Sequence, residues 1–129
     1  MANRPLSPHL SIYRFAYTMA LSILHRATGL LLAAGLILLV VFIASVAGGE
    51  DCYVAFQAFA ASIGGRLLIA AFLIGFCYHL ANGIRHLTWD MGFGMERAQA
   101  RRSGAIVVAL TVLGAAVVLW KLFASGVAS

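Results

Sequence analysis

The chain is 129 residues long, 63% hydrophobic and only 10% charged, with a formal net charge of +5 at pH 7. A mean hydropathy of +0.98 is too apolar for an ordinary water-soluble domain, and so short a chain could not enclose that much apolar surface in a core of its own, so it belongs in a bilayer. The basic balance does not read as a nucleic-acid surface, because the positive residues sit at the ends of apolar runs rather than in one patch.

Residues 1–26 are expected to form a cytoplasmic N-terminal segment. Arg4, Pro5 and Pro8 open a polar tail, and the first apolar run starts late and at full spanning length, so no cleavable signal is expected and the N-terminus stays as written. Toward its end, SILHRATG at Ser22 to Gly29 puts Ser22 and Arg26 on one helical face with His25 beside them. A hydroxyl, a fixed cation and a titratable ring at the mouth of an apolar helix suit a quinone, whose carbonyl oxygens need hydrogen-bond donors while they gain electrons and protons. Each also has a plainer reading: Arg26 taken alone is an interfacial anchor.

Residues 27–129 are expected to form a three-helix transmembrane anchor. Crossing about 30 Å of hydrocarbon takes roughly 20 helical residues. Three runs reach that length, at about 27–47, 67–87 and 104–123. A spanning segment must satisfy its own backbone polar groups, and these runs lack the alternation of barrel strands, so the fold class is all-α. Arg4, Arg14 and Arg26 precede the first run, and Arg85, Arg97, Arg101 and Arg102 lie between the second and third. The first connecting loop is acidic, with Glu50 and Asp51, and only Arg66 and Lys121 share its side. That asymmetry predicts a cytoplasmic N-terminus and a periplasmic C-terminus. Cys52 and Cys77 fall too far apart in this layout to pair and lack metal-site spacing. No phosphate loop, nucleophile motif or internal repeat is visible, which argues against hydrolytic and phosphoryl-transfer chemistry.

The second run carries the oddity, GFCYHLANGIRHLTWD, in which His79 lies about 9 Å along the helix from the boundary pair Arg85 and His86. An ionisable side chain at that depth is costly and is a candidate for function. The alternative is a neutral histidine bonded to a neighbouring helix. Gly75 and Gly83, with Ala71, clear the same face above and below the imidazole, where a flat macrocycle could lie with the ring on its iron; close helix packing is the competing reason for those glycines. Together, histidine and glycines favour haem. His86 stands two turns from His79, about 10 Å, too far to meet the same iron from the opposite side. It fits the haem edge or the interface, and the second ligand must come from another helix, either His25 or a partner subunit.

RPLSPHLSIYR at Arg4 to Arg14, SILHRATG at Ser22 to Gly29 and YHLANGIRHLTWD at Tyr78 to Asp90 together resemble the cytochrome b membrane-anchor subunits of succinate dehydrogenase, respiratory complex II. The motifs come in that family's order, on its three-helix layout, and the resemblance covers almost the whole chain. The resemblance implies that His79 is the axial ligand of a haem b shared with a second membrane-anchor subunit, which supplies the opposite ligand. It implies that Ser22 and Arg26 line a ubiquinone pocket near the iron–sulfur subunit, and that His25 and His86 lie near the haem propionates or the proton route. Asp90 matches an acidic residue that helps deliver protons; a solvated boundary charge near Arg97 is its other reading. FAD and iron–sulfur clusters are expected only in the partner flavoprotein and iron–sulfur subunits. The RPLSPH start resembles the alphaproteobacterial and mitochondrial branch; a mitochondrial precursor is expected to carry an Arg-rich, acid-poor presequence, and none precedes Met1. A bacterial inner membrane is therefore the expected location. The alternatives are an anchor for fumarate reduction by menaquinol and a small proton-coupled transporter using His79 and Asp90.

Overall fold

The computed structural model describes residues 15–124, so RPLSPHLSIYR, with Arg4 and Arg14, lies outside the described residues. The described chain is helical almost throughout: α1 is Tyr17–Ala47, α2 Glu50–Ala61, α3 Ile63–Asp90 and α4 Arg97–Leu119. Three helices are long and apolar enough to cross a membrane, the third being α4 with its continuation to Ala124 as a turn of π-helix. All exceed their apolar spans. At 31 residues α1 is about 46 Å long, and its first turns carry Ser22, His25 and Arg26 on a rigid helix ahead of the charge-free run. Nothing between Tyr17 and Ala27 is Gly or Pro, so the helical pattern has no reason to stop at the polar boundary.

The first connection differs from the plain acidic loop expected. Gly49, at φ +92°, breaks the chain after α1, and α2 begins at once with Glu50 and Asp51 in its first turn, where negative charge offsets the helix dipole. Twelve residues cannot span a bilayer, and α2 instead lays Phe56 against Phe42 of α1, with ring centroids 5.3 Å apart. Ser62 joins α2 to α3: its hydroxyl accepts from the Gly65 N–H at 3.1 Å and donates to the Phe59 carbonyl at 2.6 Å.

The spanning helices run up, down and up, with α3 central and the most buried. Small residues set their spacing. A Cβ at Gly75 would come within 2.9 Å of Leu31, at Gly35 within 2.8 Å of Phe72, at Gly104 within 2.7 Å of Leu21 and at Gly114 within 2.9 Å of Cys77. Close backbone approach of this kind replaces the hydrophobic effect as the source of helix association in lipid. Leu36, Ile37, Val40, Ile106 and Leu113 face outward, as lipid or a companion helix requires. Cys52 and Cys77 are both free.

Candidate functional site

The polar residues of α3 between Tyr78 and Trp89 divide between two faces at helical spacing. Tyr78, Asn82 and Arg85 point into the bundle and are buried, Asn82 completely. The Tyr78 hydroxyl donates to the Leu21 carbonyl at 2.6 Å, and Asn82 Nδ2 donates to the same oxygen at 3.4 Å. Arg85, expected at the boundary, is only 4% exposed. Its guanidinium is held by neutral acceptors: Nε to Ser103 Oγ at 3.0 Å, Nη1 to Asn82 Oδ1 at 3.2 Å and Nη2 to the Ala100 carbonyl at 3.1 Å. It also lies 3.9 Å over the Trp89 ring. This network fastens α3 to α1 and α4.

One step round the helix, His79 and His86 face the seam with α1. His25 enters between them: its ring stacks on His79 with centroids 3.9 Å apart and 14° between planes, and lies 5.1 Å from His86 at 41°. His86 in turn stands edge-on to Trp89. His79 Nδ1 lies 3.2 Å from the His25 carbonyl oxygen and 3.3 Å from Thr28 Oγ1. Gly29 is part of this contact, since a Cβ there would stand 3.1 Å from His79 Cε1. His25 Nδ1 is buried with no hydrogen-bond partner among the described residues. The rings stack rather than converge, and no three His, Cys, Asp or Glu among the described residues could hold a bare metal ion.

The remaining candidates lie around this seam. The space beside Gly75 is taken by Leu31, while a Cβ at Gly83 would make an ordinary 3.7 Å contact with His25. These two glycines therefore let α1 and its side chains approach α3. Ser22 is half-buried and Arg26 exposed, one turn apart on α1, and Asp90 is exposed at the end of α3. Near the same end of the bundle an open cavity of about 860 Å³ is lined by Tyr17, Thr18, Trp89, Met95, Arg97 and Arg101 among others, and neither Ser22 nor Arg26 contributes to it. Thr28, Gly29, Tyr78, Asn82 and Ser103 are not singled out as functional by sequence alone. The 78, 82, 85 spacing inside the same motif was a usable signal for two of them; the cross-helix partners of Thr28 and Ser103 had none.

Known proteins match over nearly the full chain. A family model described as succinate dehydrogenase/fumarate reductase transmembrane subunit matches residues 1–118. The mitochondrial succinate dehydrogenase cytochrome b560 subunit of Bos taurus is 44% identical over 86% of this chain and 67% of its own length. The succinate dehydrogenase cytochrome b556 subunit of Paracoccus denitrificans is 33% identical over 94% of this chain and 93% of its own, and that of Rickettsia prowazekii 36% identical over 86% of each.

Proposed function

The chain belongs to the succinate dehydrogenase/fumarate reductase transmembrane subunit family, and on that premise we propose that His79 holds haem b while Ser22 and Arg26 serve the quinone. It is a membrane-anchor subunit of the succinate dehydrogenase complex, an oxidoreductase. That membership leaves the proton-coupled transporter without support, and the relatives named above are all succinate dehydrogenase subunits rather than fumarate reductases.

One nitrogen carries the haem reading. The His25 carbonyl can only accept, so at 3.2 Å from it His79 Nδ1 holds the proton and Nε2 keeps its lone pair for a metal. Gly29 gives the ring its room against α1. These residues fit a haem held from one side by this chain. His25 does not suit the other side, because two imidazoles sharing an iron meet it by their ring edges, whereas these are stacked face to face at 3.9 Å. A haem bound there would need its other ligand from outside this chain, which a second membrane-anchor subunit would supply, and the exposed apolar faces of the bundle offer surface for one. When bound, haem b would supply a one-electron carrier.

The chain's own residues do the rest. Arg26 stabilises negative charge developing on a ubiquinone oxygen, and Ser22 donates a hydrogen bond to a carbonyl oxygen. Asp90, exposed at the helix end, takes up protons from water, and His25 and His86 line the way between. Electrons arrive from succinate through FAD and iron–sulfur clusters of the flavoprotein and iron–sulfur subunits, and the chain alone is inactive. The Arg-rich end faces the cytoplasm, with the helices in a bacterial inner membrane. In the purified complex, His79→Ala is expected to abolish the b-type reduced-minus-oxidised signal while the soluble subunits still co-purify. An unchanged spectrum would remove His79 as the ligand.

A further inference from the structure

Thr28 is buried in the seam on α1, and its hydroxyl meets three polar atoms. Oγ1 lies 2.9 Å from the Leu24 carbonyl oxygen, 2.9 Å from the His25 carbonyl oxygen and 3.3 Å from His79 Nδ1. A threonine that bonds back to the preceding turn is ordinary. The cross-helix contact to a histidine is not.

Proton counting favours one arrangement. Both carbonyls can only accept, and the His25 carbonyl lies within reach of His79 Nδ1 as well as of Thr28. If Thr28 gave its single hydrogen to a bare Nδ1, that nitrogen would still sit 3.2 Å from the His25 carbonyl oxygen, two acceptors facing each other with no hydrogen between them. If Nδ1 is protonated, its hydrogen is shared between the His25 oxygen and a lone pair of Thr28, while the threonine hydrogen goes to Leu24 or His25. Every atom is then satisfied.

We propose that Thr28 is a positioning residue for the His79 ligand: with the His25 carbonyl setting the Nδ1–H tautomer, the Thr28 hydroxyl accepts a share of that hydrogen, holds the ring in place and strengthens Nε2 as a donor. The inference rests on the assignment of His79 to haem b. Polarisation runs along Nδ1–H to Oγ1 and from the hydroxyl hydrogen to the backbone carbonyl, moving electron density toward Nε2. A stronger imidazole donor favours the oxidised iron, so the hydroxyl holds the haem midpoint potential down.

The test compares Thr28→Val, which keeps the shape and removes the hydroxyl, with Thr28→Ser, which keeps the hydroxyl, in the purified complex. Thr28→Val is expected to raise the haem midpoint potential and to weaken haem retention about tenfold, as loss of an outer partner does at other metal sites. Thr28→Ser is expected to keep both near wild type. Wild-type potential and retention in Thr28→Val, or a lowered potential, would overturn the role. If Thr28→Val does not assemble, Thr28→Ala against Thr28→Ser decides on the same readouts, and equal values would overturn it. The ligand assignment fails separately, by survival of the b-type spectrum in His79→Ala.

Discussion

Tyr78, Asn82 and Arg85 look into the bundle with each polar head engaged at 2.6 to 3.4 Å, whereas one step round α3 the imidazoles of His79 and His86 flank His25, whose buried Nδ1 has no partner among the described residues. The same stretch of sequence therefore makes two kinds of polar interior. On the inner face a cation is buried among neutral acceptors, an arrangement that tolerates no missing member, because each lost partner strands a desolvated group. On the seam, α1 engages His79 Nδ1 and leaves the buried Nδ1 of His25 without a partner among the described residues. A structural network closes on itself; a binding site keeps valences open.

The largest expected effect tests the open side. Arg26→Leu is expected to lower quinone reduction about a hundredfold, the usual scale for losing one charge-stabilising donor, and Ser22→Ala less, about tenfold. Succinate oxidation by a soluble artificial acceptor should persist in both. Equal loss of the two activities would mean failed assembly, and would move Arg26 from the open kind of polar residue to the closed kind.

Asn82→Ala tests the closed side. The side chain is fully buried, accepts from Arg85 Nη1 and donates to Leu21, so its removal strands a charged donor and leaves a small void. Those two effects together cost about 2–4 kcal/mol. The melting temperature of the detergent-solubilised complex should fall, with haem content and quinone turnover per assembled complex unchanged. Normal melting with reduced turnover would show that the inner face takes part in the chemistry.

Periodicity and charge expose the spans, and they pick out the His79 face and the cluster at Ser22, His25 and Arg26 as candidates, because each is a pattern within one helix. What was hidden depends on register between helices. Thr28 reaches His79, and Tyr78 reaches the Leu21 carbonyl, only once α1 and α3 are placed side by side. Arg85 looked like a boundary charge for the same reason: its acceptors Ser103 and Ala100 belong to α4. Gly75 was expected to make room for a macrocycle, and hydropathy alone could not show that Leu31 would use that space. α2 escaped notice because twelve amphipathic residues are too few to register as a span.

The smallest effect separates two glycines within the seam. A Cβ at Gly29 would stand 3.1 Å from His79 Cε1, tighter than ordinary contact, and the ring cannot slide freely because Nδ1 is held by the His25 carbonyl and Thr28. Gly29→Ala must therefore tilt the imidazole off its preferred rotamer or lengthen those bonds, at a cost of about 1 kcal/mol. Haem retention should weaken about fivefold, with melting little changed. At Gly83 the added carbon would meet His25 Cε1 at 3.7 Å, a normal contact, so Gly83→Ala should leave haem retention at wild type. Reversal of that order would mean that clearance beside Gly83, rather than the grip of α1 on His79, limits how the cofactor is held.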